Sequence, residues 1–417
     1  MENHYFNAAD TLWSITEKYP ETVDVFVSQG FNQMKDESKR KAFGSTISLK
    51  TALSLKKINS HTFVDLLVDR IRQKENPVDI SLKSAAQESK AGDLQVQGLL
   101  PCPVRIPLME QLEGFVTAYK ARTGLDIHYD LKAASMGLDW LKERLVKEDD
   151  PDRLADIFIS AGFDLFFETE LMGKFKSKNV FVDSTGFTRL NPLVDNDRID
   201  LKDPAGHYSM IGVVPAIFLV NREELKERPI PRTWADLLKP EFERSISLPI
   251  GDFDLFNAIL LNLYKEYGEG AIEKLGRSLM ESMHPSQMVK SHQKKSEKPT
   301  VTIMPYFFTK MVKEGGTMAA VWPEDGAIIS PIFMLCKRDK IDRLQPVIDF
   351  FASREVGEIL AHKGLFPSIH PEVDNKIPES NTFMWLGWDY IYSHDIGQLI
   401  RTCQSVFDAA VKQQEEK

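Results

Sequence analysis

In the first 73 residues the apolar positions recur at the spacing of short helices. Leu12, Ile15 and Tyr19 share one face, residues 7–10 offer capping side chains, and Pro20 stops the helix they predict. Val23, Val25, Phe26 and Val27 make a second short helix closed by Gly30. Ser48 and Leu49 open another, and Ser60 precedes a last one carrying Phe63, Leu66, Leu67, Val68 and Ile71. Residues 1–73 therefore read as a small helical domain with a polar surface and no catalytic constellation. Residues 74–93 are rich in Lys, Ser, Glu, Gln and Ala and poor in large apolar side chains, which is the composition of a solvated linker.

The period then changes. Residues 94–100 read as a strand, 106–122 carry apolar residues at helical spacing up to Gly124, and 126–131 make a second strand, together a βαβ unit. A helix over 140–146, an apolar strand over 156–160 and an amphipathic segment after Gly162 continue the alternation. Such alternation specifies an open α/β sheet, whose ligands sit at the carboxyl ends of the strands. Residues 208–221, YSMIGVVPAIFLVN, form a long apolar strand pattern, with the length to cross from one lobe to another.

Composition narrows the function classes. With 417 residues, 42% of them hydrophobic and 27% charged, the chain has the make-up of a folded protein of two or three compact units. A net charge of −9 argues against a nucleic-acid partner. Cys102, Cys336 and Cys403 form no CxxC pair, which excludes zinc-ribbon and thioredoxin-like readings and leaves no disulfide framework. The first residues lack the basic start and continuous apolar stretch of a signal peptide, and no window approaches a membrane span. The expected location is the cytoplasm, with the periplasm as the alternative.

Two stretches carry family resemblances. TLWSITEKYPETVDVFVSQGF followed by ISLKTALSLKKINSHTFVDLL resembles the small helical domain of unknown function attached to hybrid-cluster and iron–sulfur-repair proteins, which implies a cytosolic setting. Over about residues 94–372, the strand ending in Asn221, then TWADLLKPEF, ISLPI, MAAVWPEDGAIISPIFMLCK and LQPVIDFFASREVGEILAHKGLFPSI follow one another in order. This series is similar to the extracellular solute-binding proteins of type 2 periplasmic-binding topology, especially the iron(III), polyamine and phosphonate branch. The resemblance implies an α/β, two-lobed type 2 periplasmic-binding-protein fold preceded by a small all-α domain. Lobe 1 would comprise 94–210 plus 330–417 with the C-terminal helices, and lobe 2 residues 211–329.

In that fold loops after strands and helix N-termini hold the ligand, so the candidate residues are positional. Cys102 and Arg105, in LLPCPVRIPL, follow the first strand between stiffening prolines; a semi-buried thiol in a turn is the other reading. A thiolate beside a guanidinium can ligate a soft metal or an iron–sulfur species, although one cysteine cannot make a closed site. Ser160, Ala161 and Gly162 let a ligand approach backbone and offer a hydroxyl, and a tight turn explains them equally well. Asp252 and Asp254 precede a helix, either as caps or as carboxylates facing a cation or amine. Tyr306 ends the strand 301–304, and Trp322 and Asp325 lie in WPEDG before the return crossover, where aromatic groups can stack on or hydrogen-bond a ligand. Iron-binding relatives use adjacent tyrosines in this part of the chain; here Phe307 and Phe308 follow Tyr306, so the pair is not reproduced. Residues 283–298, with His284, His292 and four lysines but no zinc spacing, read as a solvated basic loop. The aromatic run 383–395 is expected to pack a terminal helix across the lobes.

No GxSxG, P-loop or GxGxxG motif is placed on this pattern, so a binding protein rather than an enzyme is expected. It would capture an oxyanion, an organic anion, a polyamine or a metal complex by hinge closure, as a cytosolic sensor or carrier, with the helical domain meeting a protein partner. A redox or metal-handling accessory protein using Cys102 is one alternative, and an ABC-transporter substrate-binding protein is another. The sequence specifies no cofactor.

Overall fold

The computed structural model describes residues 5–28, 31–56, 63–64, 67–68, 71, 93–134, 138–250, 253–282, 298–312 and 315–415. The chain divides into two compact units, Met1–Asp93 with Pro101–His128, and Leu94–Leu100 with Tyr129–Lys417.

The first unit contains helices α1 (Leu12–Lys18), α2 (Val23–Ser28), α3 (Glu37–Gly44) and α4 (Leu49–Leu55). Thr11, rather than a residue of 7–10, caps α1 by accepting from the Ser14 N–H, while Asp10 accepts from Asn7. Ser48 caps α4 in the same way. The polar helix α3 has no apolar stripe to announce it; it starts where the Asp36 carboxylate accepts from the Lys39 N–H. Leu12, Ile15, Phe26, Phe31, Leu49, Phe63, Leu67 and Ile71 are buried, and the Phe26 and Phe63 rings meet at 5.2 Å. Gly30, Ser60 and Leu66 lie outside the described residues.

A long helix, α5 (Cys102–Thr123), also belongs to this unit and corrects the loop expected at LLPCPVRIPL. Pro101 caps it, and Pro103 stands in the first turn, where a missing N–H costs nothing. The helix ends at Gly124, whose φ of 73° suits a left-handed cap.

Among the described residues the second unit carries a ten-stranded sheet. Its strands are β1 (Leu94–Leu100), β2 (Ile127–Ala133), β3 (Ile157–Ala161), β4 (Tyr208–Asn221), β5 (Ile246–Leu248), β6 (Leu279–Ser282), β7 (Val301–Pro305), β8 (Met318–Val321), β9 (Ala327–Cys336) and β10 (Phe383–Met384). The order is β2-β1-β3-β9-β4-β7-β5-β6, with β10 beside β9 and β8 beside β4. Strand β4 belongs to both halves. It runs antiparallel to β9 as far as the pair Pro215↔Ile329, and from Ala216↔Pro305 onward it pairs with β7. All 14 of its residues are buried, which is why its sequence shows no alternation. A bulge between Met210 and Gly212 interrupts the pairing with β9, and next to it the Val213 N–H reaches Pro367 O; a Cβ at Gly212 would stand 3.2 Å from that carbonyl.

The main helices of this unit are α6 (Asp139–Val146), α7 (Phe253–Tyr267), α8 (Glu269–Ser278), α9 (Ile341–Phe351), α10 (Trp388–Ser393) and α11 (Ile396–Glu415). Helix α11 packs on α7 and α8: the Phe256 and Phe407 rings lie 5.1 Å apart, and Gly276 allows an approach so close that a Cβ there would meet Ala410 Cβ at 2.7 Å. Tyr208 anchors the aromatic core of the β1–β3 half. Its ring stacks on Phe167 at 4.6 Å, its hydroxyl donates to Phe166 O, and it accepts from Lys176 Nζ at 3.0 Å. Burial pulls the Lys176 ammonium down to about 8. Among the described residues no helix is long and apolar enough to cross a membrane.

Two measurements test this packing. Gly98 has a φ of 142° and a substituted Cβ would lie 1.7 Å from Ile159 O on β3, so Gly98→Ala should lower Tm by roughly 10 °C or more in a thermal melt. An unchanged Tm would contradict the β1–β3 register. For Lys176, the folded amine loses its proton near 8 and an unfolded one near 10.5, so the native state binds fewer protons between those values and gains stability as pH rises. Melts from pH 7 to 10.5 should show wild type gaining on Lys176→Met; parallel curves would mean a solvated amine.

Candidate functional site

The handover of β4 from β9 to β7 places several loops at one level. At the end of β3, Gly162, with φ 87°, donates its N–H to Pro331 O, and Ala161 pairs with Ile332. From the other half, the last residue of β7, Pro305, pairs with Ala216. The carboxyl end of β3 thus meets β9 at Pro331, whose partner on β4 is Val213, and that of β7 meets β4 at Ala216, so both lie within a few residues of the handover, the position at which open α/β sheets receive ligands.

Polar side chains connect the halves at this level. Asn257 of α7, 1% exposed, donates from Nδ2 to Asp164 Oδ1 at 2.6 Å in the loop after β3, and its Oδ1 accepts from Gln404 Nε2 of α11 at 2.9 Å. Deeper in the first half, the buried Glu168 carboxylate accepts from Lys142 Nζ at 2.8 Å and lies 3.6 Å from Arg401 of α11.

An aromatic series forms a second wall. Tyr306, directly after β7, meets Trp322 edge-on at 5.2 Å, and Trp322 meets Phe383 of β10 at 5.4 Å. The Trp322 Nε1–H donates to Thr382 O at 2.7 Å, which fixes the indole. Burial raises the Tyr306 phenol above its ordinary range, so it is a neutral donor or acceptor at physiological pH. Thr382 and Phe383 also line a cavity of about 450 Å³ together with Asn191, Arg198, Asn375 and Glu379.

A family model described as bacterial extracellular solute-binding protein matches residues 152–394, more than half of the sequence. The chain belongs to this family. A second model, a domain of unknown function (DUF1858), matches residues 6–64, the helical module. No curated protein matches the chain. Among solved structures, the solute-binding chain is similar to a ferric binding protein from Campylobacter jejuni, at 14% identity and a TM-score of 0.51, covering 76% of this chain and 99% of that one. It is similar to a Trichodesmium protein in complex with iron and citrate ligands, at 11% identity and 0.54, with coverage of 76% and 99%. An ABC transporter structure from Clostridium perfringens gives 18% identity and 0.52, with coverage of 76% and 100%. At these identities the likeness establishes the two-lobed periplasmic-binding-protein fold. The resemblances read from the motifs of residues 94–372 and from the helical module agree with these two matches.

Within the solute-binding fold the sequence-derived candidates separate. Tyr306 and Trp322 come together. Ser160 and Ala161 are strand residues rather than loop residues, and the fully buried Ser160 hydroxyl faces only Ala161 O, at 3.4 Å. Gly162 stands at the strand end, as its conformation requires. Asp325 Oδ2 accepts from the Trp234 N–H at 2.9 Å and from the Tyr267 hydroxyl at 3.4 Å, so this carboxylate caps the helical turn Trp234–Leu237. Cys102 and Arg105 stand in the first turns of α5 in the other unit; Arg105 is half-buried, and the Cys102 side chain lies outside the described residues. Asp252 and residues 283–297 lie outside them too, and Asp254 is a backbone position of α7 whose side chain is not described. Sequence reasoning missed Asn257, Asp164 and Thr382. The available signal for Asn257 was a polar residue within the apolar run FNAILL.

Asp325 provides a pH test of this local arrangement. Burial is the largest influence on it and holds the carboxyl above its ordinary range, so the folded state favours the protonated form and its stability falls as pH rises through the folded pKa. An asparagine at this position would be neutral throughout while still able to accept both hydrogen bonds. The Tm of Asp325→Asn minus that of wild type should therefore grow from pH 3 to pH 6; a constant difference would show that the charge carries no penalty.

Proposed function

We propose that the protein is a non-catalytic binding protein that closes the two halves of its second unit on a small ligand, with Tyr306, Trp322 and the loop Gly162–Asp164 at the closing faces. The observation that carries this reading is the handover at Pro215 and Ala216, because two adjacent residues of one strand belong to different half-sheets and any opening must bend the chain there. The ligand classes compatible with the fold are an oxyanion, an organic anion, a polyamine or a metal complex. Tyr306 has no tyrosine beside it, so a ferric ion held by a tyrosine pair is not the favoured cargo.

We place this activity in the cytosol, as a sensor or carrier, with the helical domain as the docking module for a protein partner. Cys336 and Cys403 are buried free thiols, a state at home in a reducing compartment. Fractionation of native cells tests the location, and recovery with periplasmic markers would refute it.

Small-angle scattering with native mass spectrometry tests the binding reading. Protein isolated with its ligand should show a stoichiometric adduct and a smaller radius of gyration than stripped protein. The double variant Tyr306→Ala/Trp322→Ala should bind about 10- to 100-fold more weakly, the loss expected when two contact side chains are truncated. Identical scattering with and without ligand would refute hinge closure.

A further inference from the structure

The segment after β10 presents two hydrogen-bond donors that the protein leaves unmatched. Trp385 and Trp388 are 8% and 5% exposed, and neither indole Nε1–H has a hydrogen-bonding partner. Their rings meet at 5.7 Å, so the two donors belong to one cluster. Trp234 and Trp322 behave differently, donating to Gly326 O and Thr382 O. A buried donor without an acceptor is a net cost to folding, and natural proteins retain few of them.

The location gives this cost a meaning. Trp385 stacks on Phe163, the residue after Gly162 at the end of β3, with centroids 5.6 Å apart. It also directly follows the pairing of Met384 with Ile328 on the crossover strand β9. Ser330, two positions further along β9, has a fully buried hydroxyl that is likewise unpartnered. Gly387, between the two tryptophans, has φ 84°, and a Cβ built there would lie 4.0 Å from Lys265 Nζ of α7. A cation from one half of the unit, itself 3.6 Å from the exposed Glu266 carboxylate, thus stands beside the loop that carries both indoles.

We propose that this cluster selects the ligand, and that the ligand is a small organic carboxylate; the inference rests on the binding reading above. An indole N–H only donates, so its missing partner must be an acceptor, which a polyamine or a bare metal cation does not supply. Lys265 adds positive charge for the carboxylate, and the rings of Phe163, Trp385 and Trp388 offer an apolar surface to an organic body. No group of the protein accepts from these donors, and they are matched when the carboxylate binds, which converts a folding cost into ligand affinity.

The test uses the whole protein, stripped of ligand and labelled with ¹⁵N at its tryptophans, titrated with benzoate, acetate, citrate, inorganic phosphate and spermidine. At least one of the three carboxylates should move the indole signals of Trp385 and Trp388 downfield and slow their exchange, while that of Trp234, which donates to Gly326 O, stays in place. In calorimetry, Trp385→Phe and Trp388→Phe should each weaken that carboxylate about tenfold, because phenylalanine keeps the ring and removes the donor. Signals unmoved by every carboxylate, or phenylalanine variants that bind as wild type does, would overturn the assignment. Compaction in scattering with spermidine or phosphate but with none of the carboxylates would overturn it while leaving the binding reading intact. Neither binding nor compaction with any ligand, including material retained from the native source, would overturn both.

Discussion

The second unit depends on the backbone pairing of one strand. Strand β4 must satisfy its N–H and C=O groups against β9 over its first half and against β7 and β8 over its second, with every residue buried. Buried backbone groups left unpaired are costly, so the register at Pro215 and Ala216 is fixed by hydrogen bonding on both sides. The proline suits the junction because it stands at the last pair with β9, where losing a donor costs least. Both half-sheets take their relative register from this strand, and so do the loops that meet at its middle.

The site inherits its character from that geometry. Glycine at 162 lets β3 turn against Pro331, while Asn257 and Gln404 carry a hydrogen-bond chain from the β3 loop through α7 to α11. At the other end of β3 and β9 the chain is held differently. The buried Asp156 carboxylate accepts from Gln95 N and Lys340 Nζ, and Lys337 Nζ donates to Leu154 O. Charged groups thus clamp the end of the strands remote from the site, whereas at the site end the halves are linked by the Asp164 carboxylate accepting from the Asn257 amide and by aromatic contacts.

Much of the framework was legible in the chain. The unbroken apolar run 208–221 matches β4 residue for residue, because a strand buried on both faces needs no alternation. Ser48 was read as a helix start, and it is one. Helix α3 escaped because ESKRKAFG has no apolar stripe, and the start of α5 escaped because prolines at 101, 103 and 107 read as a loop, although Pro101 precedes the helix, Pro103 stands in the first turn that tolerates it, and Pro107 lies inside the helix. Tyr306 and Trp322 were legible as site candidates because they follow strands. Asp325 had the same positional signal, yet its carboxylate is taken by the Trp234 N–H, a partner 91 residues away.

The sequence by itself determined the main alternation of elements, the helical module, the long strand 208–221 and the family to which the chain belongs. Those properties are written in local periodicity and in motifs a few residues long. Only the tertiary structure decided which side chains meet: Asn257 with Asp164, Trp322 with Thr382, and the two indoles left without acceptors beside Phe163. The reason is physical. Local propensity acts over one or two turns, whereas hydrogen-bond satisfaction is settled between residues tens of positions apart, by strand register and helix packing that no single segment encodes.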